Sequence, residues 1–136
     1  MLTFNLLFKR KERLQEEAKE EIKPTELEKL CESDTEVLEA LTETMFLYPN
    51  KITFSIEDAL ANAKKMEKEG DTLRAAIWYR IAGGLAIYKG DISKVKEYFD
   101  KYSKLTGKHL KILEIPEKVV KKAQEYYEKY LGKACG

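Results

Sequence analysis

Two Gly-Asp pairs, Gly70-Asp71 and Gly90-Asp91, stand twenty residues apart and limit what this chain can fold into more than any other feature. Glycine just past a helix end takes the left-handed turn that other residues resist, and aspartate is a preferred N-cap. Each pair therefore reads as one helix stopping and the next starting at once. The segment between them, Thr72 to Lys89, has to be a single helix. Leu73, Ile77, Ile81 and Leu85 form one of its faces, and Trp78, Ala82 and Ala86 widen the apolar surface. A helix apolar around most of its circumference belongs at the centre of a fold.

The rest of the chain also reads as helical. A first helix is expected over residues 5–22, ending before Lys23-Pro24 because a residue preceding proline avoids the α region. Thr25-x-x-Glu28 and Ser33-x-x-Glu36 have the capping-box pattern that opens helices. Val37, Leu38, Leu41 and Met45 then make an apolar stripe that ends at Tyr48-Pro49-Asn50. Ser55-x-x-Asp58 is a further cap, followed by Ile56, Leu60, Ala63 and Met66 on one face. Beyond Asp91, Ile92, Val95, Phe99 and Tyr102 keep helical spacing until Gly107. Residues 109–115 read as a turn or a short extended piece. Pro116 opens a last helix carrying Val119, Val120, Ala123, Tyr127, Tyr130 and Leu131. The expected fold is all-α: a bundle of about six or seven helices around residues 72–89. It is read as one domain over 1–136, with N-terminal helices in 1–50 and a bundle core in 55–134.

Residues 76–99 look like a tetratricopeptide repeat, a helix-turn-helix unit. Tyr79 falls at its early aromatic position, Gly83 at its small position, Gly90-Asp91 at its turn and Phe99 at its late aromatic. Val95 replaces the usual small residue, and Tyr102 stands where alanine is typical. One unit upstream, Ala63, Gly70-Asp71, Ala75, Tyr79 and Ala82 also fit. The turns nevertheless recur after twenty residues, whereas tetratricopeptide repeats recur after 34. A three-helix up-down-up bundle accounts for that offset, and residues 58–105 resemble the microtubule-interacting-and-transport (MIT) domain about equally well. Both resemblances imply an adaptor whose groove accepts a helix or peptide of another protein.

Charge is sorted along the chain. The total is +1, which excludes a uniformly basic nucleic-acid coat, yet residues 14–71 carry −9 and residues 89–136 carry +5. Such asymmetry points to a nucleic-acid or membrane contact, or to acidic and basic halves that pair within or between molecules. Lys118, Lys121, Lys122 and Lys129 with Tyr126 would make a phosphate-and-stacking face. Glu32, Glu36, Glu39 and Glu43 read as a solvated acidic face. The apolar start, Leu2, Phe4, Leu6, Leu7 and Phe8, precedes Lys9, Arg10, Lys11 and Arg13. That order is opposite to a secretory signal. The segment is expected to dock on its own core or on a second copy, with a membrane anchor as the other reading.

Nothing in the chain makes a catalytic or metal-binding constellation. His109 is the sole histidine and lies among Lys108, Leu110 and Lys111; Cys31 and Cys135 are too few for a zinc site or a disulfide framework. No cofactor is called for, and no stretch has the ~20 apolar residues of a membrane span. Lys and Glu dominate the charge while Gln and Asn are scarce, a hyperthermophile-like composition. The oddity is Gly83-Gly84 in mid-helix, since each glycine costs about 1 kcal/mol relative to alanine there. Either another helix approaches closely or a partner segment lies against the backbone. The leading expectation is a cytoplasmic, thermostable, non-catalytic adaptor that binds a partner around Trp78, Tyr79, Gly83 and Gly84. A nucleic-acid accessory protein using the basic C-terminal half is the alternative.

Overall fold

Both Gly-Asp pairs do what their chemistry requires. In the computed structural model, which describes residues 26–44 and 52–131, Gly70 and Gly90 have φ of 77° and 74°. The amides of Asp71 and Asp91 reach back to the carbonyls of Met66 (2.9 Å) and Ala86 (3.1 Å). The Asp71 and Asp91 carboxylates then accept from the amides of Arg74 and Lys94, each at 3.1 Å. One helix is closed and the next capped within two residues.

The described elements are α1 (Glu26–Leu30), α2 (Thr35–Glu43), α3 (Ile56–Lys68), α4 (Thr72–Lys89), α5 (Ile92–Thr106), a 3-10 turn (Lys111–Leu113) and α6 (Pro116–Leu131). The chain is all-α, with six α-helices and no strand among the described residues. Helix α3 starts on a full capping box between Ser55 and Asp58. The start of α2 differs from the expected Ser33 cap. Asp34 is the N-cap and accepts from the Val37 amide at 3.3 Å. Residues 109–115 hold the 3-10 turn rather than an extended piece. The helix expected over 5–22, the apolar start, Thr25, Met45, Tyr48-Pro49-Asn50 and Cys135 lie outside the described residues.

Short connections make α3, α4 and α5 antiparallel neighbours, and α3 and α5 pack along α4 far more than against each other. Helix α6 packs on α4 and α5, and α2 lies against α6 and the 3-10 turn. The core runs through Val37, Leu41, Ala63, Ala82, Phe99 and Tyr127, all essentially inaccessible. Helix α4 is buried over nine residues, from Ala75 to Ile87. The buried face is not the expected one throughout. Leu85 is buried, but Leu73 and Ile77 are 71% and 47% exposed. The small side chains of Ala75, Ala76 and Ala82 let α3 and α5 come close, so the packing centres on them and turns Leu73 and Ile77 outward.

Among the described residues, a few contacts join the acidic segment to the basic C-terminal one. Glu43 Oε2 accepts from the Lys111 amide at 2.9 Å. The Lys111 ammonium lies 3.8 Å from Glu36, and Lys118 lies 3.9 Å from Asp34. Glu32, Glu36 and Glu39 are exposed, as expected of a solvated face, while Glu43 is half-buried with its carboxylate on the Lys111 amide. No described helix is long and apolar enough to cross a membrane.

Candidate functional site

The residues expected to line a partner groove are mostly filled in by the protein itself. Tyr79 is 3% exposed, and Gly83 and Gly84 are buried. A Cβ placed on Gly83 would stand 2.6 Å from two carbons of the Phe99 ring. Close approach of α5 to α4 accounts for Gly83. The Tyr79 hydroxyl donates to the Glu67 carboxylate. Burial and that bond push its pKa up to about 12. Trp78 is half-buried, its ring meeting Phe54 edge-on with centroids 5.3 Å apart.

The phosphate-and-stacking face is likewise altered. Lys121 and Lys129 are exposed, but Lys118 faces Asp34 and Lys122 bonds to Glu125 at 3.1 Å. Tyr126 is 7% exposed, and its ring packs 4.9 Å from that of Tyr130. A tyrosine held in this way presents no face for a base to stack on, so the proposed surface keeps cations without its aromatic platform.

One depression with an apolar floor lies on an adjoining face of the same central helix. It encloses about 510 Å³ between the first half of α4 and the last turn of α5. Leu73, Ala76 and Ile77 line it from α4, and Tyr102 and Leu105 from α5. Among the described residues, Leu73 and Ile77 are the large apolar side chains left exposed. The α5 wall is held by hydroxyls: Thr106 donates to the Tyr102 carbonyl at 2.9 Å, and Ser103 to the Lys108 carbonyl at 2.6 Å.

Arg80 closes one end of this groove and Lys108 stands at its rim. The guanidinium lies 5.5 Å over the Tyr102 ring and donates through Nη2 to the Glu43 carbonyl. Its Nε–H is buried and has no acceptor. A second depression of about 450 Å³ continues past Arg80 toward Glu43 and Leu110.

Sequence reasoning assigned Leu73 and Ile77 to the core and passed over Arg80. A signal was available. Positions 73, 77 and 80 fall on one helical face, and an arginine on that face shows that the face reaches solvent.

Other reactive side chains offer less. Cys31 is buried, and desolvation raises its thiol pKa while Lys122 pulls the other way. A thiol so placed stays protonated at neutral pH. His109 is exposed and lies 3.7 Å from Glu114. Among the described residues no group of three or more His, Cys, Asp or Glu is placed to hold a metal ion. No family model matches the chain, and no curated protein or solved structure matches it, so the groove has to be read from its own chemistry.

Proposed function

We propose that this chain is a helical protein-interaction domain whose α4–α5 groove takes an apolar-faced helix or peptide of another protein. One observation carries the reading: Leu73 and Ile77 stand exposed, one helical turn apart, over a concave apolar floor. A single exposed leucine is ordinary. Two on successive turns, continuous with Tyr102 and Leu105, make a strip of the kind that receives an amphipathic helix by anchors at i and i+4. Covering such side chains is worth about 1.5–3 kcal/mol each. The working surface is therefore moved from Trp78, Tyr79, Gly83 and Gly84 to the neighbouring face of the same helix.

Affinity capture with the wild-type chain and a Leu73→Asp/Ile77→Asp variant, run side by side with and without nuclease, tests this. Both substitutions fall at exposed positions, so the variant should melt within a few degrees of wild type. A protein retained by wild type, resistant to nuclease and lost with the variant supports the groove. Material that vanishes with nuclease and is indifferent to Leu73 and Ile77 would instead direct attention to Lys118, Lys121 and Lys129.

A further inference from the structure

We infer that the segment bound in the α4–α5 groove is an acidic amphipathic helix whose carboxylate seats on Arg80. This rests on the groove reading above and specifies the chemistry of its occupant. Among the described residues, the groove lining contains two cations, Arg80 and Lys108, and no carboxylate. Neighbouring basic side chains find acids within the chain: Arg74 lies 3.4 Å from Asp71, Lys104 2.9 Å from Asp100 and Lys111 3.3 Å from Glu114. Among the described residues, Arg80 and Lys108 have no such acidic partner.

Arg80 is the more informative of the two. A guanidinium does not shed its charge on burial, and this one is held in place by the Tyr102 ring and the Glu43 carbonyl. Its Nε–H is buried and out of a partner's reach, but the residue as a whole is half-exposed, and the planar edge of a guanidinium fixed in this way matches the geometry of a carboxylate.

Position along the groove sets the pattern expected in the occupant. Leu73, Ile77 and Arg80 are spread over about 10 Å of helix, roughly two turns. A complementary helix has two apolar residues one turn apart and an aspartate or glutamate one further turn along. The apolar floor favours a peptide over a free polyanion, which would gain nothing from Leu73 and Ile77.

The test is selection of a displayed library of amphipathic helical peptides against the intact 136-residue chain, with the Leu73→Asp/Ile77→Asp variant for counter-selection. Enriched peptides should carry the apolar, apolar, acidic pattern. Arg80→Gln should weaken their binding about tenfold or more, as expected for hydrogen bonds to charged groups. Replacing the peptide's acid by its amide should cost a similar factor on wild type and little more on Arg80→Gln. Arg80→Gln is checked by its melting curve, and Arg80→Lys should restore part of the affinity. Apolar peptides that ignore Arg80→Gln would overturn the carboxylate while leaving the groove. Peptides that bind the Leu73/Ile77 variant equally, or a library that yields no binder, would overturn both. A concentration-dependent dimer that the same variant returns to monomer would make a second copy the occupant and overturn the acidic partner.

Discussion

Gly83 in α4 lies directly under the Phe99 ring of α5, with no room for a side chain between them. Phe99 is fully buried, so its ring has no solvent to retreat into. Gly83→Ala should therefore destabilise the fold. Overpacking costs about 1–3 kcal/mol, and the gain in helix propensity returns roughly 1 kcal/mol. Urea denaturation should show a net loss of up to about 2 kcal/mol. Combining it with Phe99→Leu should cost less than the sum of the two single changes, because they relieve one another. A more stable Gly83→Ala protein would remove close packing as the reason for the glycine.

Gln124 of α6 finishes the end of α4 from a distance. Its Nε2 donates to the carbonyls of Ile87 (2.6 Å) and Tyr88 (2.8 Å) in the last turn of α4, where Ile87 also accepts from the Gly90 amide at 3.0 Å. Gln124→Ala should cost about 1–2 kcal/mol. Amide hydrogen exchange should show the loss concentrated at residues 86–91, where α4 hands over to α5.

The docking of α2 on the basic C-terminal segment should depend on apolar burial more than on charge. The Lys118–Asp34 and Lys111–Glu36 pairs are long and partly exposed, and such pairs contribute about 0–1 kcal/mol. Leu41 is fully buried in the same interface region. Lys118→Met should change stability by less than about 0.5 kcal/mol, and 1 M salt should leave α2 docked. Leu41→Ala should cost about 2–5 kcal/mol. A large salt sensitivity of melting would reverse that ranking.

Tyr79 makes alkaline stability a readout of the α3–α4 contact. Its folded pKa, about 12, lies above the reference value of 10.0 because burial and the Glu67 carboxylate both favour the protonated phenol. The folded state thus holds this proton more tightly than the unfolded one. The contribution is complete below pH 10 and fades as pH rises through about 12. Between those values the wild-type melting temperature should fall more steeply than that of Tyr79→Phe. Glu67→Gln should move the fall to lower pH.

The helices, their order and most of their ends could be read from local chemistry. Gly70, Gly90 and Gly107 all have positive φ, and Asp71, Asp91 and Ser55 all cap. These effects act within a few residues, so the spacing of glycines and short polar side chains was sufficient to find them. The Ser33 expectation failed by one residue because Ser33 and Asp34 are adjacent competent caps, and their order alone does not choose between them. The tyrosines misled for a related reason: Tyr126 and Tyr127 are adjacent on a helix, and both are buried, where periodicity would expose one.

The sequence by itself determined that residues 72–89 form one apolar helix enclosed by two abrupt turns. Only the tertiary structure decided which face of that helix is covered. Its hydrophobic pattern has almost no direction, because Ala, Gly, Leu and Ile surround it on nearly every side. Burial then follows how closely neighbours can approach, and α3 and α5 settle where Ala75, Ala76, Ala82 and Gly83 leave space. Leu73 and Ile77, as apolar as any residue in the core, are left over a groove, with Arg80 at its end and, among the described residues, no acid paired with it.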